Sequence, residues 1–214
     1  MSRWDSDLDG RSIDAVIFDV GRVLYRWEPR RLYEQLIPDP VVLDAFLREV
    51  VTERWHLQHD EGRSFAETSA ELMARWPQHA ALIAVWGPRF GETIPGPVEG
   101  MPELVADLDA AGVPLYAITN FSGEFFPAFR ARERALFDRF RGIVVSGDER
   151  LVKPDAAIYR LALDRFGLEA ARTVFVDDSP ANVAGAAAVG MVALRFTDAP
   201  TLRAELTGLG LPSD

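Results

Sequence analysis

Lys153 is the sole lysine among 23 basic residues; every other permanent cation in the chain is an arginine. It stands in Leu151-Val152-Lys153-Pro154-Asp155. Arginine presents a broad planar fork and lysine a compact point charge on a slim stem, so one retained lysine points to a tight site that grips a single phosphate or carboxylate oxygen. Three other polar groups could work with it: Asp19, Thr119-Asn120 and Asp177-Asp178. Together they make an acid, a hydroxyl, a cation and a pair of acids. Magnesium takes one or two carboxylates, keeps several waters and completes its octahedron with phosphate oxygens. Asp19 and Asp178, with Asp177 nearby, supply that number. A carboxylate can also attack phosphorus if positive charge offsets the repulsion between anions, and Mg²⁺ with Lys153 would provide it. Thr119 and the backbone amides after Asp19 and Thr119 would then hold phosphoryl oxygens.

These residues are far apart in sequence, so a fold must gather them. Ile13 to Phe18 is short, β-branched and apolar, and it ends at Asp19. Leu115 to Ile118 ends at Thr119-Asn120, Gly142 to Val145 at Ser146-Gly147-Asp148, and Thr173 to Val176 at Asp177-Asp178; Val192 to Phe196 is a further strand. Helical patterns lie between them at Pro102 to Ala111, Asp155 to Phe166 and Ala181 to Val189, each followed by glycine. Strands alternating with helices of this length predict an α/β fold, a Rossmann-like parallel sheet with helices on both faces. In such sheets ligands bind beyond the carboxyl ends of the strands, where the polar residues collect. Residues 27–96 break the alternation and read as helices only, at Arg30 to Leu36, Val41 to Leu57, Phe65 to Trp76 and Gln78 to Phe90. The expected organisation is a core of residues 11–26 and 97–214 with a helical cap of 27–96 inserted after the first strand.

Composition narrows the function. The 214 residues are 48% hydrophobic, enough for a sizeable core, and the net charge of -10 argues against an electrostatic nucleic-acid or anionic-membrane surface. There is no cysteine, hence no disulfide, thiolate metal site or thiol nucleophile. No stretch has the length and apolarity of a membrane span, and the acidic N-terminus is unlike a secretory signal, so a cytoplasmic location is expected. Asp5, Asp7, Asp9 and Gly10 fit the opening of a calcium loop, but Val16 stands where the closing Glu is required, so they read as a solvated leader.

The polar clusters and their flanks resemble the haloacid dehalogenase (HAD) superfamily. Phe18-Asp19-Val20-Gly21-Arg22-Val23-Leu24 is similar to its first motif, Ile118-Thr119-Asn120 to the second, Lys153-Pro154 to the third, and Val176-Asp177-Asp178-Ser179-Pro180-Ala181-Asn182 to the fourth. The helical insertion is similar to the C1 cap of the superfamily's phosphatases and dehalogenases. The resemblance implies that Asp19 is nucleophile and metal ligand, that the Gly21 carbonyl ligates Mg²⁺, and that Thr119 and Asn120 bind phosphate. It also implies that Lys153 bridges phosphate and nucleophile and that Asp177 and Asp178 complete the metal site, one directly and one from behind. Asn182 is expected to brace its loop.

Gly21 is the departure. Most phosphatases of the superfamily carry a second Asp there, which protonates the leaving oxygen and then activates water. A cap residue is the expected replacement, from the segment His56-Leu57-Gln58-His59-Asp60-Glu61-Gly62-Arg63-Ser64. His59 is the catalytic candidate, with Asp60 and Glu61 beside it and His56 less favoured by its helical position; Arg63 and Arg22 are candidate substrate contacts. The finer pattern resembles the sugar-1-phosphate phosphatase branch. The leading expectation is a Mg²⁺-dependent phosphatase acting on a small phosphorylated metabolite. A binding or regulatory protein that keeps the Mg²⁺-phosphate pocket, and a metal-free 2-haloacid dehalogenase, are the alternatives. Oligomeric state is not legible.

Overall fold

A computed structural model describes residues 12–212, so the acidic leader with its Asp5, Asp7, Asp9 and Gly10 lies outside the described residues. Five strands, Ala15–Phe18 (β1), Leu115–Thr119 (β2), Gly142–Val145 (β3), Thr173–Asp177 (β4) and Val192–Arg195 (β5), form one sheet in the order β3-β2-β1-β4-β5. All pairings are parallel. β1 reads as an unbroken apolar run because both faces of the sheet are covered. Its side chains divide by parity: Val16 and Phe18 join one apolar cluster, Ala15 and Ile17 the other. Among the described residues no helix is long and apolar enough to cross a membrane.

Register places the chemistry. Phe18 pairs with Val176 and with Ala117, so Asp19, one residue further on, lies level with Asp177. The Asp19 amide donates to the Val176 carbonyl at 2.8 Å, extending the ladder to the carboxylate itself. The chain runs outward from β1 through β2 to β3 on one side and then crosses back to β4 on the other side of β1, and this topological switch is where open α/β sheets bind ligands.

Between β1 and β2 the chain is helical: Arg30–Tyr33 (α1), Pro40–Glu49 (α2), Glu53–Asp60 (α3), Phe65–Arg75 (α4), Ala80–Ala84 (α5) and Trp86–Arg89 (α6). Their buried side chains, among them Tyr33, Phe46, Trp55 and Trp86, are continuous with the Val16 and Phe18 face of the sheet. The remaining helices are Met101–Ala110 (α7), Phe126–Arg132 (α8), Arg134–Phe137 (α9), Ser146–Glu149 (α10), Ala156–Phe166 (α11), Pro180–Ala188 (α12) and Ala199–Gly208 (α13).

Two expected helices are divided: Gln78 to Phe90 is a short 3-10 turn followed by α5 and α6, and a second break falls further toward the N-terminus. The pattern from Val41 to Leu57 breaks at Val50-Val51-Thr52, where the Thr52 hydroxyl accepts from the Trp55 amide and caps α3. Helix α3 then runs on to Asp60, so His59 and Asp60 sit in its last turn and not in a loop.

Candidate active site

Lys153 and three carboxylates meet at the sheet's carboxyl edge. The Lys153 Nζ donates to Asp19 Oδ1 at 2.7 Å and to Asp177 Oδ2 at 2.6 Å, with its side chain only 1% exposed. Its backbone is held by Asn120, whose Oδ1 accepts from the Lys153 amide at 2.9 Å and whose Nδ2 donates to the Lys153 carbonyl at 3.1 Å. That reciprocal pair commits the Asn120 side chain to positioning the lysine and leaves its backbone for a ligand. Asp177 is fully engaged: it also accepts from the Ser179 amide at 2.9 Å and from Asn182 Nδ2 at 3.0 and 3.1 Å. Asn182 is braced in turn by Tyr159, whose hydroxyl donates to the Asn182 carbonyl at 2.8 Å.

The electrostatics call for a cation. Ligand oxygens of Asp19, Asp177 and Asp178 all lie within 4.8 Å of one another. Three carboxylates surround one buried ammonium, with Arg22 acting on Asp178 from the cavity side. Burial pushes the Asp19 carboxyl up to about 7; Lys153 opposes that and Asp177 adds to it. Asp178 is also raised, by burial and by Asp177, against Arg22 and Lys153. Burial would lower Lys153, but the two carboxylates it touches outweigh it and hold the ammonium above its ordinary value. A magnesium ion fits this donor set: Asp19 and Asp178 face the cavity, and Asp178 is free of the hydrogen bonds that occupy Asp177. Thr119, at the end of β2 beside Asn120, is fully buried just behind the cavity lining, and its Oγ1 has no hydrogen-bond partner, as a hydroxyl reserved for a phosphoryl oxygen would.

A cavity of about 390 Å³ opens over Asp19, Lys153 and Asp178. The first-motif loop contributes Val20, Gly21 and Arg22, with Arg22 in the left-handed region at φ 62, strained for a residue with a side chain. The Arg22 guanidinium lies 5.0 Å over the Trp27 ring and pairs with Glu53 at 3.2 Å. Helix α3 supplies the opposite wall. Its residues Glu53, His56, Leu57 and Asp60, spaced three and four apart, line the cavity on one face.

The structure corrects three sequence expectations. His59 faces away: its Nε2 is 2.6 Å from Thr68 Oγ1, and its ring packs against Trp55 and Phe65. It does not line the cavity. Arg63 is also outside, fastened to Glu71 and Gln58, so it contacts no substrate held over Asp19. Glu61 is exposed and likewise absent from the wall. His56, the less favoured histidine, does line it, with its ring 5.0 Å from Trp27 and stacked on Phe90 at 5.6 Å.

Sequence reasoning passed over Ser146. Its hydroxyl donates to the Asp60 carbonyl at 2.7 Å and accepts from the Phe121 amide at 3.0 Å, tying the end of α3 to the turn that follows Asn120. The close approach there requires glycine: Gly62 is at φ +90, and a Cβ on it would lie 2.7 Å from the Gly147 carbonyl. The Ser-Gly pair directly after β3 was the available signal.

An acid-lysine-diacid cluster thus stands at the switch point of a doubly wound parallel sheet. The chain belongs to the haloacid dehalogenase-like hydrolase family, whose model matches residues 13–190. It is 30% identical to the sesquiterpene phosphatase astK of Aspergillus oryzae over 206 residues, covering 91% of this chain and 95% of that protein. It is 28% identical to acyl-CoA dehydrogenase family member 10 of Mus musculus, covering 98% of this chain and 20% of that protein. A HAD family enzyme of Bacteroides thetaiotaomicron solved with magnesium and inorganic phosphate shares the fold (TM-score 0.66, 16% identity, 87% of this chain and 95% of that one). So does L-2-haloacid dehalogenase of Xanthobacter autotrophicus with chloropropionic acid covalently bound (TM-score 0.63, 19% identity, 93% and 84%).

Proposed function

We propose that this protein is a Mg²⁺-dependent phosphatase that hydrolyses a small phosphate monoester through an aspartyl-phosphate on Asp19. The observation that carries the reading is the charge of the cluster: Lys153 bridges Asp19 and Asp177 while Asp178 lines the cavity beside them, a donor set that supports binding of one divalent cation. A metal-free haloacid dehalogenase would have to bring an anionic substrate to the same carboxylates, which repel it.

In this reading Asp19, Asp178 and the Gly21 carbonyl hold the metal, with Asp177 orienting Lys153. Bound there, Mg²⁺ would neutralise phosphoryl oxygens and lower the repulsion that Asp19 meets at phosphorus. Lys153 fixes the nucleophile and one phosphoryl oxygen, and the unpartnered Thr119 hydroxyl takes another. Residues 27–96 act as the cap that closes over the ester and excludes water.

The cavity wall informs the substrate. Trp27, Leu57, Phe90, Ile94, Phe121 and Phe129 give it a broad apolar face, with Arg22, Arg26 and Arg54 also present. This supports an alcohol portion with a substantial apolar face more than a hydroxyl-rich sugar, in keeping with the likeness to a sesquiterpene phosphatase. The test is phosphate release from p-nitrophenyl phosphate, prenyl-type alkyl phosphates and sugar phosphates with and without Mg²⁺, alongside halide release from 2-chloropropionate. Mg²⁺-dependent phosphate release is expected. No release from any ester despite binding of Mg²⁺ and a phosphate analogue would favour a regulatory protein, and metal-independent halide release a dehalogenase.

A further inference from the structure

The geometry points to Asp60 as the group that carries the proton in both half-reactions, in place of the carboxylate missing at position 21. This assignment rests on the phosphatase reading of the Asp19 site. Asp60 is 6% exposed, and its Oδ1 is buried without a hydrogen-bond partner. A buried polar atom left unpaired is destabilising, so it calls for a reason. Asp60 lines the same cavity as Asp19 and Lys153, from the wall contributed by α3. Its backbone carbonyl is pinned by Ser146, and through Phe121 to the turn after Asn120, so the end of α3 that carries Asp60 is fastened to the phosphate-site turn.

No cation claims it. Lys153 is taken by Asp19 and Asp177, and the nearest basic group is His56 Nε2 at 3.7 Å from Asp60 Oδ1. That imidazole is neutral at ordinary pH, because burial and then His59 hold it down to about 3. Thr68 Oγ1 donates to backbone carbonyls, which makes His59 Nε2 the donor to Thr68 and leaves His59 Nδ1, 3.5 Å from His56 Nδ1, as an acceptor. His56 then carries its proton on Nδ1 and presents a bare Nε2 to Asp60. Burial first, then Asp19 and Glu61, hold the Asp60 carboxyl well above its usual range against the weaker pull of Lys153, in keeping with a protonated acid at the start of the cycle.

The proton account closes. As an Asp19 oxygen bonds to phosphorus and the ester P–O bond breaks, Asp60 gives its proton to the departing alkoxide and becomes a carboxylate. Water then attacks the phosphorus of the aspartyl-phosphate, and Asp60 takes a proton from it as the bond between phosphorus and the Asp19 oxygen breaks. Alcohol and inorganic phosphate leave, and Asp60 is again an acid.

Asp60→Asn tests this by leaving group. With an alkyl phosphate, which needs the proton, kcat/KM is expected to fall by about 10²- to 10⁴-fold, the usual worth of acid-base assistance. With p-nitrophenyl phosphate, whose leaving anion is stable, kcat/KM should change by less than about tenfold. Its kcat falls because water is no longer activated, and the intact protein gains the mass of one phosphoryl group. Gly21→Asp in the same variant should restore part of the alkyl reaction, since a Cβ at Gly21 meets nothing within 4 Å. Equal losses with both esters and no adduct, or near wild-type rates with both, overturn the role of Asp60. If Asp60→Asn does not fold, the wild-type protein decides with a series of aryl phosphates. A shallow dependence on leaving-group acidity is expected, and a steep one shows that no proton is supplied. A wild-type protein inert to every ester and forming no adduct overturns the phosphatase reading itself, and Asp60 with it.

Discussion

Lys153→Arg preserves charge and should nevertheless disable the site. The Nζ lies 2.7 Å from Asp19 and 2.6 Å from Asp177, and the side chain is 1% exposed, so there is no solvent side toward which a larger head can swing. Forcing extra atoms into a packed interior costs about 1–3 kcal/mol. If that strain is relieved by moving Asp19 out of line with phosphorus, the same energy enters the barrier. At 1.36 kcal/mol per decade it amounts to about 5- to 150-fold. Displacement of a reacting atom by about 1 Å can itself cost about 10²-fold, so the expected loss in kcat lies well above about tenfold. The assay is steady-state release of phosphate at saturating Mg²⁺ for wild type, Lys153→Arg and Lys153→Met, with thermal unfolding of each. Arginine activity within about threefold of wild type would refute the close-fit argument and reduce Lys153 to a generic charge.

Thr119→Val should move stability and activity in opposite directions: removing an unpartnered buried hydroxyl is neutral or stabilises by up to about 1–3 kcal/mol, while a lost bond to a charged phosphoryl oxygen costs about 1.5–3 kcal/mol of transition-state binding. Chemical denaturation and kcat/KM on the same preparation check both signs. A variant that is destabilised and fully active would contradict that role. His59→Gln should flatten the acid limb of stability. Burial, then Arg63, holds His59 down to about 4 against 6.5 unfolded. Between those values the unfolded chain binds the extra proton, so stability falls as pH drops, by at most about 1.4 kcal/mol per pH unit. Wild type should therefore lose more than the variant between pH 6.5 and 4; equal slopes in denaturation at several pH values would contradict a buried neutral His59.

The sheet and its site were legible because each strand is an apolar run that stops at a polar residue, and parallel register does the rest: Asp19 after Phe18 and Asp177 after Val176 must lie side by side. Lys153 stood out by composition alone. The wall facing them was harder to read. Val50-Val51 continues the apolar spacing of α2, which hid the break at Thr52, and a break shifts the phase of everything after it. With α3 starting at Glu53, the i, i+3, i+4, i+7 positions bring His56 and Asp60 to the cavity and turn His59 toward Thr68. Ending the expected helix at Leu57 lost that phase, and with it the distinction between neighbouring acid-base candidates. The family resemblance implied that Asn120 binds phosphate. Its reciprocal bond to the Lys153 backbone depends on a contact 33 residues away that no local pattern encodes.

The nucleophile is the centre of the account, and it is best tested by acid-quenching the protein during turnover of p-nitrophenyl phosphate with Mg²⁺ and mapping any phosphoryl group to its residue by mass spectrometry. The prediction is a single phosphoryl adduct on Asp19, more abundant in Asp60→Asn, lost when Mg²⁺ is chelated and absent in Asp19→Asn. Sustained turnover with no adduct at any quench time, or an adduct on another residue, would contradict it.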